Sequence, residues 1–200
     1  MVSITGGQKT GFFLDQREMR RKIGELAKGK RVLNCFSYSG GFSLYALEGG
    51  ATEVTSVDTC KKAVKLAEKN TEINGYKNHK IVQEDVFSFL EKEDLSRYDI
   101  IILDPPAFAK KRQDIEPASR GYKELSSHVF TRCKPGTFLL TCSCSYFIDQ
   151  ATFKQIQFKA AAPTQKEVKI LSNHIHAMDH PISLFHPEGE YLKGLLFYIS

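Results

Sequence analysis

Apolar and polar positions alternate in blocks along the chain, and the blocks are of two kinds. Short apolar runs of strand length stand at 31–36, 53–58, 80–85, 98–106, 136–145 and 191–200. Segments with helical periodicity stand at 41–50, 61–75, 86–93 and 149–161. Strands that alternate with helices predict a doubly wound α/β fold, in which parallel strands are joined by right-handed crossovers.

Two of these segments allow a more detailed expectation. The run 98–106 is apolar almost throughout, which is typical of a strand covered on both faces, so we expect it near the middle of the sheet. The segment 61–75 is amphipathic with a period close to that of a helix. The positions predicted to face inward are Ala63, Leu66, Ala67 and Ile73.

Length and composition favour one cytoplasmic domain. With 200 residues, 42% of them apolar and 26% charged, the chain is large enough to bury a core, and we treat 1–200 as one domain in which 1–30 is an arm leading into the core. There is neither an apolar run of membrane-span length nor an apolar signal segment, so we expect no membrane partner. Five cysteines, an odd number, argue against a secreted disulfide scaffold. The oligomeric state is left open, and a homodimer is compatible with the sequence.

The net charge of +5 is unevenly distributed. Residues 1–31 carry eight lysines and arginines against three acids, and 109–134 carry seven against three. Between them, 32–108 carries eight against twelve. Clustered basic residues are how proteins hold a phosphate backbone, although a solvated surface has the same composition. Charge alone does not choose between these interpretations.

The chemistry is expected beyond the carboxyl ends of the strands, where doubly wound sheets bind their ligands. A glycine-containing turn, 37–41, follows the first strand, and its adjacent glycines do not have the spacing of a dinucleotide-binding turn. Asp58 ends the next strand, where a carboxylate accepts hydrogen bonds from a ribose diol. Asp85 ends the third, within reach of an adenine amino group, and Asp104 ends the fourth. This order favours S-adenosylmethionine over a nicotinamide cofactor.

Cys142 and Cys144 stand two residues apart at the end of the fifth predicted strand. A disulfide between them is disfavoured, because alternate residues of an extended strand lie about 6.5–7 Å apart at their Cα atoms. A zinc site would need about four suitably spaced ligands, which the sequence does not provide, so we predict no metal. Two interpretations stay open, a buried packing residue and a nucleophile.

The sequence resembles a known family, the class I S-adenosylmethionine-dependent methyltransferases that make 5-methylcytosine in 23S rRNA of the large subunit. The stretches that carry the resemblance, in order, are "TGFFLDQR" (10–17), "RVLNCFSYSGGF" (31–42), "VTSVDTCKKAV" (54–64), "EDVFSFL" (84–90), "DPPAFAKK" (104–111), "RGYKEL" (120–125), "SCSYF" (143–147) and "HPEGEYLKG" (186–194). They span nearly the whole chain. Family members usually begin with a small RNA-binding domain of the PUA type, which this sequence does not contain.

The resemblance implies a fold, a cofactor and a set of contacts. The fold is a mostly parallel, seven-stranded, Rossmann-like sheet, the cofactor is S-adenosylmethionine, and the partner is ribosomal RNA. The implied cofactor-binding residues are Gln16, Phe36, Ser37, Tyr38, Gly40, Asp58, Thr59, Asp85, Val86, Asp104 and Pro105. The residues expected to face RNA are Lys110, Lys111, Arg112 and Arg120.

The resemblance also assigns the cysteines. A thiolate added to C6 of cytosine makes C5 nucleophilic toward a methyl group, and the thiolate leaves after the C5 proton is removed. The family's nucleophile stands in an "[ST]CS" strand end, and both Cys142 and Cys144 fit that frame. The segment that follows favours Cys144, with Cys142 in support and Asp104 at the N3 and amino edge of the base. Ala107 stands where some related enzymes have a second catalytic cysteine.

Two other functions are compatible with the same sequence. An amino-group methyltransferase would use the "DPP" loop and an aromatic residue stacked on the target base, for which Phe108 is the candidate. The other is a domain that binds RNA or S-adenosylmethionine but has lost its chemistry, and the intact acids and cysteines at the strand ends argue against it.

Overall fold

The computed structural model describes residues 12–174, 176–186 and 189–200. Its strands are β1 Arg31–Cys35, β2 Glu53–Asp58, β3 His79–Gln83, β4 Ile100–Leu103, β5 Thr137–Ser143, β6 Val168–Asn173 and β7 Lys193–Ile199. Its α-helices are α1 Arg17–Leu26, α2 Gly41–Glu48, α3 Lys61–Ile73, α4 Val86–Lys92, α5 Ile115–Arg132 and α6 Gln150–Ala161. In this part of the chain no helix has both the length and the apolar character needed to cross a membrane.

The strands form a seven-stranded sheet in the order β3-β2-β1-β4-β5-β7-β6. The pairs β1/β2, β2/β3 and β4/β5 are parallel, whereas β7 runs antiparallel to both β5 and β6. The predicted doubly wound, mostly parallel fold is therefore confirmed. Strand β4, predicted to be central, stands fourth of seven and all four of its residues are buried.

By internal contacts the chain divides into two compact units. The first unit contains the residues up to Val86 and the short segment 176–181. The second contains Phe87–His174 and Ile182–Ser200. The prediction of one domain over 1–200 stays a prediction.

Three elements were not predicted, and one predicted orientation is wrong. Helix α1 and helix α5 lie in the two basic segments, and α5 buries a stripe that includes Ala118, Tyr122, Leu125 and Val129. Strand β6 is mostly exposed, so it shows no apolar alternation. On α3 the buried positions are Ala63, Val64, Ala67 and Asn70. Ile73, predicted to face inward, is 59% exposed because the buried stripe follows the spacing 63, 67 and 70.

A chain of hydrogen bonds between polar side chains runs through the first unit. The Asn34 amide donates to Ser43 Oγ over 2.8 Å, and Ser43 Oγ lies 2.6 Å from Ser56 Oγ. Ser56 Oγ lies 2.7 Å from Nε2 of His79, whose Nδ1 lies 2.6 Å from Thr71 Oγ1. Buried polar groups are thereby paired across β1, α2, β2, β3 and α3.

The same chain fixes the tautomer of His79. The Thr71 hydroxyl donates to the carbonyl of Ala67, so at His79 it accepts from the Nδ1–H group. Nε2 is then an acceptor for the Ser56 hydroxyl. A proton on Nε2 would point at the hydrogen that the Ser56 hydroxyl donates, so this hydrogen bond disfavours protonation of the ring. Burial acts in the same direction and lowers the pKa of His79 to about 4.

We expect this histidine to make the fold sensitive to acid. Its pKa falls from 6.5 in the unfolded chain to about 4 in the folded one, so the unfolded chain takes up the proton first as the pH drops. The contribution of neutral His79 to the free energy of unfolding is complete above pH 6.5 and is lost as the pH falls toward 4. At about 1.4 kcal/mol per pH unit over this interval, the loss is at most about 3.5 kcal/mol.

Urea denaturation at a series of pH values measures this loss. His79→Gln should flatten the pH dependence between pH 6.5 and 4, whereas the same change at the exposed His180 should leave it unaltered. An equally steep decline in His79→Gln would show that other groups cause it.

Candidate active site

The turn after β1 adopts an unusual backbone conformation in the first unit. Phe36, Tyr38 and Gly40 have φ angles of 57°, 48° and 81°, in the left-handed region that side chains other than glycine rarely adopt. At Gly40 the backbone conformation is what favours glycine, because an added Cβ would lie 3.4 Å from the Cβ of Ala67, an ordinary van der Waals distance. Such strained turns persist where the surrounding structure holds them, and they concentrate at ligand sites.

Asp58 is one of the groups that hold this turn. Its Oδ2 accepts a hydrogen bond from the backbone N–H of Tyr38, and its Oδ1 accepts one from the N–H of Cys60, both over 2.8 Å. Each carboxylate oxygen has a second acceptor site, and the residue is partly exposed. Asp58 therefore supports the turn and still has capacity for two ribose hydroxyls.

Ser37 supplies an independent indication of a ligand. Its N–H donates to the carbonyl of Val57 over 3.0 Å, and its carbonyl accepts from Gly40. Its Oγ, by contrast, is buried and has no hydrogen-bond partner among the described residues. A buried hydroxyl without a partner costs free energy, so a polar ligand group at the turn would fit.

The other predicted cofactor contacts are spread over both units. Gln16 is buried in a short 3-10 helix, Leu14–Gln16, and Val86 is buried at the start of α4. Thr59 and Asp85 are exposed, and Phe36 is partly exposed. These lie in the first unit, whereas Asp104 and Pro105 belong to the second.

Two residues missed by sequence reasoning support the turn from the N-terminal side. The ring of Phe13 packs edge-on against Tyr38, with 5.6 Å between the centroids. The buried guanidinium of Arg20 donates to the Phe13 carbonyl over 2.6 Å and lies 3.9 Å above the ring of Phe12. Phe13 belongs to the stretch "TGFFLDQR", in which the sequence predicts only Gln16 as a contact, and Arg20 follows that stretch.

The second unit holds the cysteine pair. Strand β5 ends at Ser143, so Cys144 lies just beyond it rather than inside it as predicted, and the alternation of strand side chains does not extend to this residue. Cys144 is partly exposed, and its Sγ lies 3.8 Å from the carbonyl oxygen of Pro105. Parallel pairing of Leu103 with Thr141 brings the segment after β4, with Asp104, beside the segment after β5.

Cys142 has a different environment. It has no exposed surface, and its Sγ lies 3.4 Å from where a Cβ on Gly194 would stand. All five cysteines lie within the described residues, and none forms a disulfide. Of the two candidate nucleophiles, only Cys144 is accessible to a base.

Ser145 anchors the turn that carries Cys144. Its Oγ accepts from the N–H of Ala109 over 3.0 Å and lies 2.9 Å from the hydroxyl of Tyr122. Its carbonyl accepts from the Lys193 ammonium over 2.6 Å. Burial raises the pKa of Tyr122, against the effect of hydrogen bonds to Ser143 and Ser145. Sequence reasoning assigned no role to Tyr122, Ser145 or Lys193.

The basic segment after Pro105 faces solvent. Lys110, Lys111 and Arg112 are exposed, and the carboxylate of Asp114 accepts from the backbone N–H groups of both lysines over 3.0 and 2.9 Å. This pairing shapes the backbone of the loop. Arg120, on α5, is exposed and pairs with Glu116 over 2.7 Å.

The aromatic residue required by the amino-group alternative is packed into the unit. The ring centroid of Phe108 lies 4.7 Å from that of the buried Tyr122 and 6.4 Å from that of Phe87. A ring held in this cluster is poorly placed to stack on a substrate base, which disfavours that alternative.

Sheet order and strand-end residues define the fold as that of a Rossmann-like, class I methyltransferase. A family model described as "S-adenosylmethionine-dependent methyltransferase" matches residues 2–182. The chain belongs to this family. The predicted cofactor, S-adenosylmethionine, is thereby confirmed.

Curated and solved relatives agree with this family. Two proteins named Ribosomal RNA large subunit methyltransferase I, from Aeromonas salmonicida and Photobacterium profundum, are each 44% identical to this chain. The match to the Aeromonas protein covers 98% of this chain and 50% of that protein, and the match to the Photobacterium protein covers 100% and 51%. The chain thus spans about half the length of these relatives. A methyltransferase structure from Streptococcus mutans is 30% identical, with a TM-score of 0.85 over 98% of this chain and 52% of its own. A second structure with the same scores is a complex with SAH, the demethylated cofactor.

We expect Ser37→Ala to separate cofactor binding from stability. The hydroxyl has no partner in the described part of the chain, so its removal should not destabilise the fold, whereas affinity for S-adenosylhomocysteine should fall by about 0.5–1.5 kcal/mol. Calorimetry measures the affinity and thermal unfolding the stability. Thr55→Val, which removes another buried hydroxyl without a described partner, is the matched control and should bind normally. Equal affinity in parent and Ser37→Ala would contradict the contact.

Proposed function

We propose that this chain methylates C5 of a cytosine in large-subunit ribosomal RNA, with Cys144 as the nucleophile. The observation that carries the proposal is the difference between the two thiols. Cys144 is partly exposed beside the segment that follows β4, whereas Cys142 is sealed in the sheet. A thiol that must add to a base has to be reached by that base.

The cofactor supplies an electrophilic methyl group when it is bound. Ser37, Tyr38 and Asp58 would hold it through hydroxyl, backbone and carboxylate groups at the turn after β1. Gln16 and Asp85 are further candidates for its contacts. The chain's own part in the chemistry then falls to the residues after β4 and β5.

In the proposed reaction the Cys144 thiolate adds to C6 of cytosine, and the electron pair displaced from the C5–C6 double bond makes C5 nucleophilic. After C5 has taken the methyl group, a base removes its proton. The electron pair re-forms the double bond and expels the thiolate. Asp104 would hold the N3 and amino edge of the base, which positions C6 against the sulfur.

Two features support ribosomal RNA as the substrate. The relatives that match over this chain's whole length are named for the large-subunit RNA, and the exposed cluster Lys110–Arg112 with Arg120 provides cationic groups for phosphates. The cytoplasm is the corresponding location. A homodimer stays a prediction.

The nucleophile is tested by covalent trapping. With 23S rRNA in which 5-fluorocytidine replaces cytidine, the C5 fluorine cannot leave as a proton, so the adduct persists and is visible as a protein–RNA band on a denaturing gel. The parent and Cys142→Ala should trap RNA, whereas Cys144→Ala should not. Loss of trapping only in Cys142→Ala would make Cys142 the nucleophile. Methylation by both variants at the parental rate would favour the amino-group reaction.

The RNA contact is tested by its salt dependence. Changing Lys110, Lys111 and Arg112 together to glutamine should weaken RNA binding and reduce the slope of log K against log salt by about 2, at roughly 0.7 per contact with a single strand. A matched variant with glutamine at the exposed Lys65, Lys69 and Lys77 loses the same charge elsewhere and should keep the larger part of the slope. Equal slopes in the two variants would mean that the loop does not contact phosphates.

A further inference from the structure

Lys193 is a buried cation that has no part in the reaction proposed above. It stands on β7 opposite Ser143, and the residue is only 4% exposed. Its Nζ donates to the carbonyl of Ser145 over 2.6 Å and to that of Tyr191 over 2.5 Å. Lysine is almost never buried unless it is paired, so this position needs an explanation.

Among the described residues, the charged and titratable groups that act on Lys193 are Cys144, Asp149 and Glu190. Burial lowers the pKa of the ammonium to about 8, and the three neighbours act in the opposite direction. The ammonium therefore stays charged at neutral pH. The neighbour with the largest effect is the thiol of Cys144.

We propose that Lys193 is a positioning residue for Cys144, holding the turn that carries it through the Ser145 carbonyl and favouring the thiolate by its charge. This inference rests on the proposed function, in which Cys144 is the nucleophile. Electrostatic coupling is reciprocal, so a thiolate that stabilises the ammonium is stabilised by it to the same extent. When the thiolate forms, the Cys144 thiol gives its proton to solvent, and the Lys193 ammonium stays protonated.

A second lysine in the same unit, Lys166, also lies beside a thiol and can be compared with Lys193. Lys166 Nζ donates to the carbonyls of Thr131 and Cys133, over 3.3 and 2.7 Å, and lies 3.7 Å from the Cys133 sulfur. Cys133 is buried, and burial raises the pKa of its thiol in spite of the lysine. A cation beside a thiol is therefore not enough. Cys144 combines the cation with partial exposure, the setting in which thiols are reactive.

The test is alkylation by iodoacetamide over a range of pH, with each cysteine quantified by peptide mass spectrometry. The exposed Cys60 in the same chain is the internal reference. In Lys193→Met the midpoint for Cys144 should rise by about one pH unit, and its rate at pH 7 should fall roughly tenfold relative to Cys60. The difference should shrink above about pH 8, where Lys193 itself loses its charge.

Lys166→Met is the matched control and should leave the Cys144 midpoint unchanged. Lys193→Gln keeps a donor for the carbonyls without the charge, so it should show the same rise as Lys193→Met. A parental midpoint in folded Lys193→Met or Lys193→Gln would overturn the inference.

A measurement with Lys193 intact covers the case in which its variants do not fold. NMR titration of the lysine ε-carbons should show the pKa of Lys193 falling below about 8 in Cys144→Ser, and an unchanged value would overturn the inference. Neither experiment uses RNA or cofactor. A chain whose Cys144 reactivity depends on Lys193 but which traps no fluorinated cytosine would refute the proposed function alone.

Discussion

Parallel pairing of strands is the constraint on which the positions of the candidate groups depend. In each unit it aligns the carboxyl ends of neighbouring strands, so residues far apart in sequence follow their strands at the same edge. In the first unit the register of β1 with β2 brings the turn at Tyr38 to the carboxylate of Asp58. In the second, the register of β4 with β5 brings Pro105 to Cys144.

The turns at these edges are held by hydrogen-bonded polar groups rather than by apolar packing alone. Asp58 fixes the turn after β1, and Ser145 links the turn after β5 to Ala109, Tyr122 and Lys193. Such networks are stabilising only when their members are paired, because a buried polar group without a partner costs free energy. The hydroxyl of Ser37 departs from this rule within the described structure, and it does so in the turn expected to meet the cofactor.

Burial, more than proximity to a cation, separates the cysteines. Cys133 and Cys144 each lie near a lysine that donates to backbone carbonyls, yet only Cys144 has access to solvent. Cys35 is enclosed in β1, where burial raises the pKa of its thiol far above the ordinary value. Burial in a low-dielectric interior disfavours the thiolate, so of the two strand-end thiols Cys144 is the better candidate for a reactive one.

The sequence by itself determined the strands that build the sheet and the acids that follow them. Periodicity located β1, β2, β3, β4, β5 and β7 to within a few residues, because apolar positions mark a strand that packs against the core and polar residues mark its turn. The same periodicity failed where burial is one-sided or slight, at α5, β6 and Ile73. The physical reason is that the buried face of a helix or strand is set by the elements that pack against it, and the sequence of that helix or strand does not contain them.

The tertiary structure alone shows that the two cysteines have different surroundings. In the sequence, Cys142 and Cys144 fit the same frame and have the same chemistry. The end of β5 at Ser143, the packing of Cys142 against Gly194 and the position of Lys193 give them different environments. Lys193 lies 49 positions after Cys144 in the chain and meets its turn only because β7 pairs antiparallel with β5. Local pattern carries no information about a contact of that separation, because it is the pairing of strands that creates it.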